Sequence, residues 1–205
     1  IVFIKNKKNE GVSNSLNHII AKANGNYFCW CPDDDFMDRN KIEEQVMSLK
    51  NKPNFISLTD HIQIIDYYKI QRKFSHKYYL KFLDVYLYSI IFDRINGGAL
   101  MIPTKILKNI KFDKNLKHVQ DYDMWHKILN KYKCVYLNKA LFYSRQHSKQ
   151  SSEISNLESK NEISKFYLNF FEQNLFQLLY IYGKKIFFLI YTLFIFREFK
   201  DVHKF

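Results

Sequence analysis

Three consecutive carboxylates, Asp33-Asp34-Asp35, are the residues whose types and spacing point most directly to chemistry. They follow an apolar run, Tyr27 to Cys31, that reads as a buried strand. Adjacent negative charges repel, so such a run at a strand's end needs a reason. One reason is a divalent cation: Mg²⁺ or Mn²⁺ takes one or two carboxylates and fills its shell with water and substrate phosphates. The other is a solvated acidic turn in which an aspartate caps the next helix. Asp121 and Asp123 fall in the first turn of a helix expected to begin at His118, where the dipole favours anions. Gly97-Gly98 lie in an apolar run, Ile95 to Ile102, and permit close backbone approach. Arg145-Gln146-His147 leads into a serine-rich polar loop.

The elements that must position these residues alternate. Ile1 to Ile4 reads as a strand. A helix follows with Leu16, Ile19, Ile20 and Ala23 on one side, Ser13 or Asn14 as its cap and Gly25 as a left-handed end. Then come the strand Tyr27 to Cys31 and a helix from Arg39 to Asn51, with Ile42, Val46 and Leu49 inward and Pro53 as its stop. Strands are expected at Phe55 to Thr59 and His61 to Tyr67, and a helix at Tyr78 to Phe92. The Gly97-Gly98 strand, a short helix from Thr104 to Ile110, the helix of Asp121 and two short strands, Cys134 to Leu137 and Leu141 to Ser144, complete the series. This order predicts an α/β fold, a mostly parallel sheet flanked by helices. Ligands bind outside the carboxyl ends of such strands, where the acidic turn lies.

The 205 residues suffice for one domain and an appendage. The chain opens at Ile1 inside an apolar run, so the expectation is that upstream strands are missing. Net charge is +12, and before residue 150 there are 25 Lys/Arg against 14 Asp/Glu. Such a surface suits an anionic partner. The lysines are scattered and the aromatics sit in apolar runs, which disfavours nucleic acid. Cys29, Cys31 and Cys134 form no CxxC pair, so they read as free thiols of a reducing compartment. Composition changes from Asn156, and the expected division is a domain over 1–152 and a helical, apolar extension over 153–205. Ile186 to Phe196 is shorter than the ~20 residues a membrane-spanning helix needs. Packing on protein and lying in a membrane interface both remain open for this tail.

In order and spacing these stretches resemble the family 2 glycosyltransferases of the GT-A fold. Asn9-x-Gly11, Asn17 and Ala23-x-Gly25-x-Tyr27 resemble the segment that leads into the family's acidic metal motif, here Asp33-Asp34-Asp35. Asn40 to Val46 resembles the helix that follows. Gly97-Gly98 is similar to the glycine-containing strand near the acceptor. Gln120-Asp121-Tyr122-Asp123-Met124-Trp125 resembles the catalytic-base motif, and Ser144-Arg145-Gln146-His147 the closing Arg-x-His element. Pro32 stands where many members carry the first metal acid, and Gln120 where Glu is common.

The resemblance implies inverting transfer of a sugar from a nucleotide-diphosphate donor, a UDP-sugar first among them, to a carbohydrate or lipid-linked hydroxyl. It implies a role in bacterial surface polysaccharide or glycolipid assembly, in the cytoplasm or peripherally on the inner face of the membrane. Asp121 is then the base, expected to be ionised by the helix dipole. Asp33, Asp34 and Asp35 hold Mn²⁺ or Mg²⁺. Asn9, Gly11, Asn17, Gly97, Gly98, Gln120, Arg145 and His147 are candidate donor or acceptor contacts. A non-catalytic, degenerate transferase-fold scaffold is the alternative.

Overall fold

The computed structural model describes residues 3–65, 70–78, 80, 84–92, 95–147, 158–173, 180 and 183. In chain order the elements are α1 (Gly11–Lys22), β1 (Tyr27–Phe28), β2 (Phe36–Met37), α2 (Lys41–Leu49), β3 (Phe55–Ile65), β4 (Ile70–Phe74), α3 (Val85–Phe92), β5 (Leu100–Pro103), α4 (Thr104–Asn109), α5 (Gln120–Lys131) and β6 (Lys133–Gln146). A last helix, α6, covers 158–173. Two compact units result, Ile1–Glu162 and Ile163–Phe205. The second contains most of α6, whose Phe166 and Phe170 rings stack at 6.3 Å.

The α/β layers are present, and the sheet is mixed. Its order is β1-β5-β3-β6-β2, with β4 also paired to β3. β3 runs parallel to β6 in the longest ladder, and the other pairings are antiparallel. The ladder is irregular on either side of Asp60. Expected strand pairs merge: Phe55 to Ile65 is one strand, and so is Lys133 to Gln146. Phe3 and Ile4 are not in a strand, and the Gly97 segment is a short 3-10 turn that Asn96 caps through the Gly98 N–H. The apolar run Leu175 to Phe196 lies almost wholly outside the described residues. Among the described residues no helix is long and apolar enough to cross a membrane.

Two helix boundaries depart from the expected caps. Gly11 takes φ +79°, and the Asn9 side chain accepts its N–H at 3.0 Å, so α1 starts there and not at Ser13 or Asn14. α1 ends through Ala23 in extended conformation, so Gly25 supplies no left-handed cap. The inward face of α2 also differs. Lys41, Gln45 and Leu49 are buried, while Ile42 and Val46 are 47% and 37% exposed. The reason is hydrogen bonding that periodicity cannot register. Gln45 Nε2 donates to the Ser57 and Ala99 carbonyls at 3.3 and 3.1 Å, and Lys41 donates to Gln45 Oε1. Satisfied polar groups lose little on burial. Burial itself holds the Lys41 ammonium below its ordinary pKa.

β3 carries a buried polar knot. Asp60 Oδ1 accepts from the His76 backbone N–H at 3.1 Å and the Tyr136 hydroxyl at 2.6 Å. The Tyr88 hydroxyl meets His76 Nδ1 at 2.9 Å, and His61 stacks on Phe74. Burial pushes His61 down to about 4, with His76 adding to the effect, and burial also brings His126 to about 4. Both stay neutral in the fold, whereas the unfolded chain binds their protons near pH 6.5. Their contribution to stability is therefore complete above pH 6.5 and is lost as pH falls from 6.5 to 4. Urea titrations at pH 7 and 4.5 should give His61→Gln a loss smaller than the parent chain's by about 2 kcal/mol.

Candidate active site

The acidic turn is built by its neighbours. The Asp35 N–H donates to the Pro32 carbonyl at 3.2 Å, which places Asp33 and Asp34 between them in a tight turn. The short strand β2 then pairs antiparallel with Tyr143 and Phe142 of β6, and Phe36 stacks on Tyr143 at 4.6 Å. That pairing lays the end of β6 alongside the turn. Residues 110 or more positions apart now meet there.

The three aspartates have separate surroundings. Asp33 is exposed. Asp34 Oδ2 lies 3.1 Å from His147 Nε2. Asp35 Oδ1 accepts the Arg145 backbone N–H at 2.8 Å and so fastens the end of β6 to the turn. Partial burial raises the Asp35 pKa, opposed by the Arg145 N–H and assisted by Asp34 and Asp33. Cys31 Sγ donates to the Asp35 carbonyl. Asp34 and His147 are thus a neighbouring carboxylate and imidazole, a donor set suited to a divalent ion that draws its other ligands from water or phosphate. Among the described residues no group of three His, Cys, Asp or Glu side chains could hold a metal.

Asp121 is half-buried in the first turn of α5, and its Oδ1 accepts the Tyr122 N–H at 3.0 Å. Burial pushes its pKa up to about 6, against those backbone N–H groups. The expected stabilisation of the carboxylate by the dipole is outweighed, because desolvation exceeds the N-terminal field here, although the group is still ionised at pH 7. Beside it, Gln120 Oε1 is a buried oxygen with no hydrogen-bond partner.

An aromatic cluster joins the acidic turn to this helix. Trp30 lies 5.3 Å from Trp125 and 5.8 Å from Phe112, measured between ring centroids. Gly97 makes the notch: a Cβ there would approach Trp30 to 2.3 Å and Trp125 to 2.9 Å. A Cβ on Gly98 would come within 2.1 Å of Phe142. Both glycines therefore have a packing reason, independent of any ligand. Other candidates are likewise engaged inside the fold. Asn17 holds the Phe112 backbone through both amide atoms, at 2.9 and 3.0 Å, and Asn9 fixes the start of α1. The Arg145 side chain is exposed beside the turn.

Sequence reasoning missed Lys41, Gln45, Trp30 and Glu162. Lys41 and Gln45 looked like surface positions of an amphipathic helix. Trp30 is adjacent to the acidic run but carries no motif. Glu162 acts across more than 40 residues, which no local pattern reveals.

A mixed α/β sheet with an acidic turn at one strand's end defines the GT-A class of nucleotide-sugar transferase fold. The comparisons agree. The model of Glycosyl transferase family 2 matches residues 1–108, and the chain belongs to that family. An uncharacterized glycosyltransferase of Rickettsia typhi is 33% identical over 155 residues, 71% of this chain and 48% of the relative. One from Methanocaldococcus jannaschii is 32% identical over 135 residues, 65% and 46% of the two chains. This chain thus spans about half the length of these curated relatives. Among solved structures, S. aureus TarS 1–349 in complex with UDP has TM-score 0.53 at 18% identity, over 75% of this chain and 48% of TarS. TarS 1–349 with UDP-GlcNAc gives the same score over 75% and 50%.

The glycine notch is open to direct test. Gly97→Ala should lower stability by about 1–3 kcal/mol through overpacking, because the nearest atoms belong to two rings that also pack on each other. Urea midpoints read the loss. A variant as stable as the parent would show that the rings move aside freely.

Proposed function

We propose that this chain carries the catalytic part of an inverting glycosyltransferase that moves a sugar from a nucleotide-diphosphate donor to a hydroxyl acceptor. The observation that carries the reading is the meeting of Asp34 with His147, 3.1 Å apart across 113 positions. Family membership supports sugar transfer, and the UDP and UDP-GlcNAc complexes of TarS favour a UDP-sugar as the donor.

Inversion requires a base for the acceptor proton and neutralisation of a diphosphate leaving group. Asp121 takes the proton. Its raised pKa strengthens it as a base and leaves it ionised above pH 6. Asp34 and His147 would hold a divalent ion, the imidazole favouring Mn²⁺ over Mg²⁺. When bound, the ion supplies Lewis-acid neutralisation of phosphate charge. Asp33 adds an exposed carboxylate to the ion's surroundings, while Asp35 keeps the end of β6 in place. Arg145 offers a planar donor pair to a phosphate oxygen. The unpaired Gln120 oxygen accepts a sugar hydroxyl beside the base. Asn9, Gly11, Asn17, Gly97 and Gly98 shape the site through the backbone they hold.

The basic balance before residue 150 suits the anionic donor and a lipid-diphosphate acceptor at the cytoplasmic face of a membrane. Assembly of a surface polysaccharide or glycolipid would consume such a product.

Slow hydrolysis of UDP-GlcNAc with Mn²⁺ tests the assignment of the base. Turnover should rise with pH through about 6 and fall at least a hundredfold in Asp121→Asn. An aspartate with a raised pKa costs stability once ionised, since the unfolded chain ionises it near pH 4. The same variant should therefore gain about 2–3 kcal/mol at pH 7 and almost nothing at pH 3.5. Loss of turnover together with loss of stability would instead mark Asp121 as structural, and turnover equal to the parent's would remove it from catalysis.

A further inference from the structure

The entrance to α5 is held from a distance. Its N-cap residue is Val119, which has no side chain able to accept a hydrogen bond. The first N–H groups of a helix lack partners inside it and need an acceptor when water is excluded. Val119 is fully buried. Glu162, at the end of the first unit and half-buried in α6, supplies the acceptor. Its Oε1 takes the backbone N–H groups of Lys117, His118 and Val119 at 2.9, 2.9 and 3.2 Å. Three successive N–H groups converge on one carboxylate oxygen, an anion nest occupied by the chain itself. The same approach is tied at two other points, by Asn17 on Phe112 and by the Ser13 hydroxyl on the Leu116 carbonyl.

We infer that Glu162 is a positioning residue for Asp121: by holding the 117–119 backbone it fixes the first turn of α5 and the half-buried seat of the base. This deepens the proposed function and rests on it for the role of Asp121. The acid next along the helix, Asp123, is paired with Lys127, so it neither caps the entrance nor competes for the three N–H groups. Without Glu162 those donors face a partly buried space unpaired. The first turn then frays, and Asp121 is the second residue of that turn. Hydration of Asp121 follows, and its proton affinity falls toward that of an ordinary aspartate.

The test follows the Asp121 carboxyl carbon by NMR in the full chain, with Asp121→Asn to assign the signal. Glu162→Gln keeps the reach and the acceptor without the charge. Glu162→Asp keeps the charge and withdraws it by one methylene, and Glu162→Ala removes both. The parent and Glu162→Gln should titrate near 6, whereas Glu162→Asp and Glu162→Ala should show at least a tenfold larger acid dissociation constant for Asp121. Faster amide exchange at 117–119 should accompany that change. Should Glu162→Ala fail to fold, Glu162→Asp against Glu162→Gln makes the same comparison. Titration of Asp121 in Glu162→Asp at the parent value would overturn the inference, leaving Glu162 as a cap and nothing more. UDP binding by the parent chain, measured in parallel, reads the transferase assignment separately, because the titration needs no donor.

Discussion

The candidate site depends on one packing arrangement, the ring of Trp30 seated over Gly97 and against Trp125. Trp30 precedes the acidic turn by three positions, and Trp125 lies one turn along α5 from Asp121. Their contact, closed by Phe112, joins the segment that leads into the acidic turn to the helix that carries Asp121. Close-packed aromatic surfaces resist small displacements, so this contact ties the segment before the acidic turn firmly to α5. The notch has room for no side chain at position 97. That requirement explains the glycine without reference to a sugar.

Two opposed electrostatic effects meet at the same helix. The N-terminal end of α5 favours anions, and Asp121, Asp123 and the Glu162 carboxylate all gather there. Burial acts the other way on Asp121 and wins, because its side chain has left most of its water while its hydrogen bonds are to backbone N–H groups nearby. The outcome is a carboxylate whose proton affinity lies close to neutral pH. A carboxylate held well below 4 would be a weaker base for a hydroxyl proton.

Much of this was readable from the chain itself. The acidic run and the helix starting near His118 carry local signals, although the buried strand expected over Tyr27 to Cys31 is only the half-buried pair Tyr27–Phe28 with Cys31 exposed. So does Arg145-Gln146-His147 at a strand end, and the expected helices α2, α4 and α5 lie near their observed positions. What was not readable has a common physical cause. Asn17 reads as a polar helix residue, yet its amide serves the backbone of Phe112, 95 positions away. Lys41 and Gln45 read as solvent-facing, yet Gln45 reaches acceptors on β3 and at Ala99 and in turn accepts from Lys41, which permits burial of both. Periodicity records which residues are apolar and cannot record which polar residues will find acceptors. The merging of Phe55 to Ile65 into one strand hides for a similar reason: the irregularity at Asp60 interrupts the pattern while the ladder to β6 continues.

On this reading the acidic turn and the end of β6 form one nucleotide-diphosphate site. Titration calorimetry of UDP into the chain with Mn²⁺, for the parent, Asp34→Ala and His147→Ala, tests it most directly. The parent should bind UDP, and binding should weaken at least tenfold when either side chain is removed or Mn²⁺ is withdrawn, with urea midpoints unchanged. Binding that survives loss of both side chains would contradict it, as would a folded parent chain that binds no UDP.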